Sequence, residues 1–459
     1  MLDLGDDVCS IAADAGPDSP VVPHSGPEMV LELGDASPRD DVIVLDSFSR
    51  GGGTTPSPAN ASLGNSRHGL SDSPSVLPHG GASMEVDDIV LDDGDGAITT
   101  TIGRSPSHSA SCRVASSSFV LVPSELTLVE LCCGWMSATQ ACVQKGIPHS
   151  VLLASDIDPS VRAFVRANFP VACWVDDVHS TQFQSCSPGA LGVVAGFPCQ
   201  PYSTEGQSRG ELDERSDVIG PIIELLGRDP PVFFILENVL GLLSRRHSDF
   251  WNRVKRRLHD RTSGRYSTYE RVLDSRDYSL PHARRRVYLV GIRTDLMQSP
   301  FAWPIPSSRR LVEHILDEAG SVASVERVLT SHTARANLAK ARQQVAAVGG
   351  DISRHHYIVD IGAGRARANV MLDCVPTITK NRGSARDYYD TLLGRRLSLT
   401  ELMRCQGAEP SLLKFGSAVL SARAMGGIVG NAMSVSVVAA LLEQILKSLG
   451  WSSLLGTQS

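Results

Sequence analysis

The sequence predicts an α/β fold built on a doubly wound sheet. Three observations support this prediction. Short apolar runs at 127–133, 150–156 and 191–195 are typical of buried strands, helical patterns follow the first two, and glycine, acidic or proline-rich turns come directly after each run. Because the residues that follow such strands collect at one edge of an open α/β sheet, we expect the chemistry of the protein to lie there.

Charge is unevenly distributed along the 459 residues, a length sufficient for two or three domains. Residues 1–117 carry 18 Asp and Glu against 5 Arg and no Lys, a balance of -13, so the remainder carries +6 of the overall -7. A mildly basic body behind an acidic tail is suited to contact with phosphate groups.

The acidic tail, 1–117, is rich in Ser, Pro, Gly and Asp and contains a single aromatic residue, Phe48. We expect it to be disordered, since it can bury little apolar surface to offset the entropy lost on ordering. Segments 41–46 and 88–93 have branched apolar cores between acidic residues and resemble SUMO-interacting motifs. Chance clustering in a low-complexity tail is the alternative explanation.

The first strand, 127–133, leads through a turn at Gly134 into a helix at 138–145. The second strand ends at Asp156 before a helix at 158–168, and an acid in that position suits the ribose hydroxyls of an adenosyl cofactor. The third strand, near 172–175, ends at Asp177. Taken alone, Asp177 would be interpreted as a turn former.

Three further motifs follow in order. The strand at 191–195 enters the loop 196–203, which contains Cys199; the apolar run 232–239 ends with Glu237; and a basic cluster at 284–286 opens a strand. A lone cysteine is most often an inert buried residue, so the prediction that Cys199 is reactive depends on the other two motifs.

Together these motifs resemble those of the DNA cytosine-5 methyltransferase family: Pro-Cys-Gln at 198–200, Glu-Asn-Val at 237–239 and Gln-x-Arg-x-Arg at 282–286, with His282 in place of the Gln. The resemblance covers 127–449 except for the interval 297–395. It implies a Rossmann-like, S-adenosylmethionine-dependent methyltransferase domain formed by 118–296 and 396–459. It also implies a smaller target-recognition domain at 297–395, behind the disordered tail at 1–117.

The resemblance assigns catalysis to four residues. Cys199 would add to carbon 6 of a flipped-out cytosine, Glu237 would be an acid near N3, and Arg284 and Arg286 would bind the base carbonyl and the thiolate or phosphate region. The residues implied to bind S-adenosylmethionine are Cys132, Gly134, Trp135, Asp156, Ile157, Asp177, Val178, Pro198, Val218, Asn431 and Ala432.

Two departures from the family pattern stand out. The chain has Trp135-Met136-Ser137 where the family usually has small glycines, which provide positive φ and close approach to the ligand. His282 replaces a Gln, and we expect retained function with an altered pH response. Near the C-terminus, Gly430-Asn431 is expected to open one long apolar helix that reaches Leu449.

These features predict a nuclear DNA cytosine-5 methyltransferase that acts on double-stranded DNA. Two alternatives remain: methylation of transfer RNA, and a catalytically weak nucleic-acid-binding regulator on the same scaffold. The ten cysteines contain no Cys-x-x-Cys pair, so the sequence indicates neither a zinc site nor a disulfide framework. We expect no membrane segment, since no run of about 18 apolar residues occurs.

Overall fold

The computed structural model describes residues 121–198, 218–318, 329–364 and 369–456, all within one compact unit. Cys199 and the loop that follows it lie outside the described residues. The same is true of the tail at 1–117, including the segments 41–46 and 88–93.

A seven-stranded sheet forms the centre of the fold. Its strands are β1 (Leu126–Leu131), β2 (His149–Ser155), β3 (Cys173–Val175), β4 (Gly192–Ala195), β5 (Phe233–Val239), β6 (Tyr266–Asp274) and β7 (Arg285–Arg293). The spatial order is β3-β2-β1-β4-β5-β7-β6. The first five strands are parallel, and β7 pairs antiparallel with both β5 and β6. The predicted doubly wound fold is therefore confirmed.

Helices cover both faces of this sheet: α1 (Ser137–Lys145), α2 (Pro159–Asn168), α3 (Thr181–Ser185), α4 (Ile219–Arg228) and α5 (Ser248–Arg261). The side chains of α1 and α2 belong to one core cluster, and those of α3, α4 and α5 belong to a second. Phe233 and Phe234, adjacent on β5, lie in different clusters because successive side chains of a strand point to opposite faces.

A smaller unit carries its own core. It contains α6 (His332–Ala347), β8 (Tyr357–Asp360), β9 (Val370–Leu372), β10 (Tyr388–Asp390) and β11 (Arg395–Arg396). The helix α7 (Lys380–Ala385) lies between β9 and β10 in the chain but contributes no residue to this core. The strands form an antiparallel sheet in the order β11-β10-β8-β9, and residues of α6 pack with it in a third apolar cluster. The proposed domain limits at 297 and 395 stay predictions.

The C-terminal part returns to the large sheet with α8 (Leu399–Cys405), α9 (Ala422–Asn431) and α10 (Val435–Ser448). A capping box opens α8, in which Ser398 and Glu401 each bind the other's backbone N–H. Helix α10 packs against α1. Among the described residues no single helix could cross a membrane; the bent pair α9 and α10 has the necessary length and composition, and most of its residues are buried.

The expectation of one helix starting at Gly430 is wrong. Asn431 is the last residue of α9, and a break at 432–434 separates it from α10. Side chains distant in sequence bind the carbonyl groups of the break: Arg284 donates to Ala432 O at 2.7 Å, and Ser137 donates to Met433 O at 3.0 Å. These bonds satisfy carbonyl groups that have no partner at a helix end, so the break is stable.

Candidate active site and cofactor site

The turn after β1 has an unusual backbone. Cys132, Gly134 and Met136 have φ values of 48°, 51° and 63°. The left-handed conformation costs an L-residue about 1–2 kcal/mol, so Cys132 and Met136 must be held by their surroundings. Part of that support comes from β2, because Cys133 N donates to Ser155 O at 3.0 Å and Gly134 N donates to Asp156 Oδ2 at 3.0 Å.

Glu130, on β1, anchors the helix that follows this turn. Its fully buried carboxylate accepts hydrogen bonds from Ala138 N, Thr139 N and Thr139 Oγ1 at 2.5–3.1 Å. Met136, the N-cap residue of α1, makes no side-chain cap, so Glu130 satisfies the N–H groups at the start of the helix. Burial raises the Glu130 pKa, and the bonds from Thr139 and Ala138 oppose that shift. An acid within an apolar strand was the signal for this role.

Acidic and apolar side chains alternate at the ends of β2 and β3. Asp156 accepts from Gly134 N and from Asp158 N, and burial raises its pKa. Ile157, next to it, is 79% exposed. Asp177 accepts from His179 N in a tight turn, and Val178 is buried. An exposed branched side chain next to a strand-end acid could contact a flat apolar ring while the strand-end acids meet hydroxyl or amine groups.

Open space adjoins this group. A Cβ built on Gly134 would find no other atom within 4 Å. The strand-end acids, exposed Ile157 and the open side of Gly134 therefore fit an adenosyl cofactor in the position implied by the sequence. Two other predicted cofactor residues, Pro198 and Val218, flank the 199–217 segment and are half-buried.

Trp135, Asn431 and Ala432 occupy different surroundings. The ring of Trp135 is wholly buried, and its indole N–H donates to Ser137 Oγ and to Met433 O. Asn431 is exposed at the end of α9, whereas Ala432 is buried and held by Arg284. Cys132 is half-buried. Its burial, and to a smaller extent the negative charge of Asp156, raises the pKa of its thiol.

Glu237 lies at the carboxyl end of β5 and is 8% exposed. Burial raises its pKa, although Arg286 and Arg284 oppose the shift. Arg286 Nε lies 3.2 Å from Glu237 Oε1, but this oxygen has no aligned hydrogen bond, so the contact is an ion pair. A Cβ built on Gly196 would lie 3.6 Å from Glu237 Oε2. The carboxyl group therefore borders the backbone of the loop that leads to Cys199.

The two arginines of the basic cluster have different partners. Buried Arg284 donates to Ile378 O at 2.8 Å, to Gly430 O at 3.4 Å and to Ala432 O at 2.7 Å. Arg286 instead pairs with Glu237. The structure thus places Arg284 at the junction of three chain segments and Arg286 beside the acid.

His282 is fully buried, and its Nε2 accepts a hydrogen bond from Ile378 N at 3.0 Å. Burial, Arg284 and Arg286 hold its pKa well below the usual range. A lowered pKa disfavours the charged imidazole, and the altered pH response expected from His282 stays a prediction.

Gln406 was not predicted as a site residue. Its side-chain amide donates to Val429 O at 2.8 Å and accepts from Ser434 Oγ at 3.1 Å, so it braces both sides of the α9–α10 break. The Gln-Gly turn after α8 was its only signal in the sequence. In the described parts of the chain, no group of three or more His, Cys, Asp or Glu side chains could hold a metal ion.

Several known proteins are similar to this chain. Type II methyltransferase M.MthTI of Methanothermobacter thermautotrophicus is 26% identical over 279 residues, which are 57% of this chain and 80% of that protein. Type II methyltransferase M.BsuFI of Bacillus subtilis is 37% identical over 112 residues, but only 24% of this chain and 27% of the relative are aligned.

Two solved structures share the fold. One is a putative DNA modification methyltransferase encoded within a prophage of E. coli, with a TM-score of 0.52, 18% identity and coverage of 71% of this chain and 100% of that one. Spodoptera frugiperda DNMT2, solved as a mutant, has a TM-score of 0.50, 17% identity and coverage of 70% and 100%. The family model of the C-5 cytosine-specific DNA methylase matches residues 126–447. The chain therefore belongs to the C-5 cytosine-specific DNA methylase family.

Proposed function

We propose that this chain transfers a methyl group from S-adenosylmethionine to carbon 5 of cytosine in double-stranded DNA, with Cys199 as the nucleophile. One observation carries the proposal. Glu237, a buried carboxyl group with a raised pKa, pairs with Arg286 and borders the backbone at Gly196, three residues before Cys199. A perturbed acid beside a cysteine loop is what addition to a pyrimidine ring requires.

S-adenosylmethionine is the methyl donor of this family. Asp156 would bind the ribose hydroxyls, Ile157 would pack on the adenine, and Asp177 with Val178 would recognise its edge. Gly134 leaves space for the backbone to approach the methionine end. Bound there, the cofactor supplies an electrophilic methyl group.

The chemistry of the chain's own residues follows from the weakness of carbon 5 as a nucleophile. The thiolate of Cys199 forms a bond to carbon 6, and electron density moves toward carbon 5. Burial raises the pKa of Glu237, which favours its protonated form, and in that form the carboxyl group would donate a hydrogen bond to N3 and stabilise the negative charge that enters the ring. Once carbon 5 is methylated, a base takes the proton of carbon 5 and the bond between carbon 6 and sulfur breaks, so the Cys199 thiolate leaves and the ring is aromatic again.

The target base is inaccessible within a duplex, so it must be flipped out of the helix. Flipping costs roughly a few kcal/mol, as in other enzymes that modify bases. Arg286, held beside Glu237, would bind the carbonyl of the flipped base or the phosphate near it. Arg284 would act indirectly, since its guanidinium is bonded to backbone carbonyls at the junction.

Labelled methyl transfer from S-adenosylmethionine tests this function. The purified chain is offered duplex DNA and transfer RNA, with Cys199→Ala as the test variant and Cys186→Ala as the matched control. Cys186 is a half-buried cysteine directly after α3 and lies outside the Pro-Cys-Gln motif. Transfer to DNA by the wild type and Cys186→Ala, but not by Cys199→Ala, is the expected result.

A second arm tests the covalent step directly. With S-adenosylmethionine present, duplex DNA with 5-fluorocytosine at the target position should form a denaturation-resistant adduct with the wild type, since after methylation the fluorine at carbon 5 cannot leave as a proton does. The adduct should be absent with Cys199→Ala. Transfer to RNA alone would favour the transfer RNA alternative, and DNA binding without any transfer would favour the regulatory alternative.

Two further parts of the proposal, SUMO binding and a nuclear location, concern the tail at 1–117. Binding of SUMO to segments 41–46 and 88–93 is tested by titrating tail peptides with SUMO, and the absence of chemical-shift changes would contradict it. A nuclear location is tested by imaging the tagged full chain.

A further inference from the structure

The turn after β1 needs an external support. Met136 lies in the left-handed region with a φ of 63°, at a position where the family usually has a glycine. A long side chain rarely adopts this conformation unless neighbouring groups impose it. Trp135, directly before Met136, is 0% exposed and is the largest fully buried side chain of the described residues.

Both ends of Trp135 are fixed. Its backbone carbonyl accepts a hydrogen bond from Gln140 Nε2 at 2.6 Å. Its indole N–H is shared between Ser137 Oγ at 2.9 Å and Met433 O at 3.4 Å, and Ser137 Oγ itself donates to Met433 O at 3.0 Å. Two residues of the turn region therefore converge on one carbonyl group in the break between α9 and α10.

Met433 also touches the opposite half of the site. Its Cγ lies 3.6 Å from the position of a Cβ built on Gly196, and Glu237 Oε2 lies at the same distance from that position. Its backbone therefore binds the cofactor turn while its side chain borders the loop that leads to Cys199. A shift of Met433 would move the two halves of the site relative to each other.

We propose that Trp135 and Ser137 clamp the cofactor turn to Met433, and that Trp135 is a positioning residue for S-adenosylmethionine. The clamp takes over the function that small glycines perform in the family pattern, because it holds a left-handed turn in place through tertiary hydrogen bonds. This inference rests on the proposed function, since it assumes that the turn binds the cofactor.

The test compares Trp135→Phe and Ser137→Ala with a matched control, Trp451→Phe. Trp451 is 6% exposed and belongs to the same apolar cluster as Trp135, but it lies beyond α10. The full chain is used throughout. Calorimetry gives the dissociation constant of S-adenosylhomocysteine, melting without ligand gives the stability of each variant, and steady-state kinetics give kcat and both KM values.

Trp135→Phe removes one hydrogen-bond donor and keeps the aromatic body, so the dissociation constant should rise about fivefold. Ser137→Ala removes the hydroxyl that both bonds share, and the rise should be about tenfold or more. The KM for S-adenosylmethionine should follow these changes while the KM for DNA stays within about twofold of wild type. Trp451→Phe should leave the dissociation constant within about twofold even where its melting temperature falls.

Equal cofactor affinity of Trp135→Phe, Ser137→Ala and Trp451→Phe would overturn the clamp. So would losses of affinity that merely track the fraction unfolded at the assay temperature. A wild type that binds no S-adenosylhomocysteine would overturn both the clamp and the proposed function. A wild type that binds it with the expected variant pattern, but transfers no methyl group, would contradict the proposed function and still support the clamp.

Discussion

Gly430→Ala should separate α9 from the segment that leads into α7. A Cβ built on Gly430 would lie 2.2 Å from Thr379 O, 2.4 Å from Thr379 C and 2.7 Å from Lys380 N. All three are backbone atoms, so no side-chain rotation relieves the overlap. Non-bonded contacts between carbon atoms are normally about 3.5 Å or longer, so the two segments must move apart by more than about 1 Å.

The cost of that movement follows from the packing around it. Overpacking in a close-packed interior costs about 1–3 kcal/mol and sometimes more, and an overlap with rigid backbone belongs at the upper end. The movement would also pull Gly430 O and Ala432 O away from Arg284, which donates to both. We therefore expect a loss of about 3 kcal/mol in the free energy of unfolding, which lowers the melting temperature of a folded region of this size by about 5 °C.

Thermal melting of the full chain measures this loss, with Gly364→Ala as the matched control. A Cβ on Gly364 would meet no atom within 4 Å and its φ is not in the left-handed region, so its effect should stay within about 0.5 kcal/mol. A Gly430→Ala chain that melts with the wild type and the control would refute the argument from close backbone approach.

Three further predictions concern the site. Glu237→Gln should lower methyl transfer about 10²–10⁴-fold. The folded chain holds the Glu237 proton more tightly than the unfolded chain, so the stability and the methyl-transfer rate of the wild type should both fall as pH rises through the raised pKa. Urea unfolding measured across pH should show no such loss of stability in Glu237→Gln. Arg284→Lys should lower the free energy of unfolding by about 2 kcal/mol, whereas Arg286→Lys should chiefly lower the methyl-transfer rate. If Arg286→Lys destabilised the chain more and Arg284→Lys slowed transfer more, the structural role of Arg284 and the active-site role of Arg286 would be contradicted. Glu130→Ala should cost about 3 kcal/mol by chemical unfolding, since two buried N–H groups lose their acceptor, and a change below about 1 kcal/mol would show that water replaces the carboxylate.

Features that depend only on residues close together in the sequence could be predicted from it. Asp156, Asp177 and Glu237 follow or end apolar runs, and the structure places each at the carboxyl end of its strand. The fold class follows from the same pattern, because strands that alternate with helices form a parallel sheet. The capped start of α8 at Ser398 was equally local, since the capping box spans four residues.

The different partners of Arg284 and Arg286 were not predictable. The two residues are two positions apart, yet Arg284 binds Ile378 O and Ala432 O, while Arg286 pairs with Glu237. The sequence shows the same charge at both positions. Only the folded chain brings a carboxyl group to one arginine and backbone carbonyls to the other.

By itself, the sequence determined the first strands and helices of the large sheet, the acids at the strand ends and the motifs of a cytosine-5 methyltransferase, because each is encoded in residues that are close together in the chain. The tertiary structure decided the break after Asn431, the burial of Trp135 and the lowered pKa of His282. Each of these depends on partners distant in sequence. Met433 O, for instance, stabilises a turn 298 residues away, and no local pattern of apolar and polar residues carries that information.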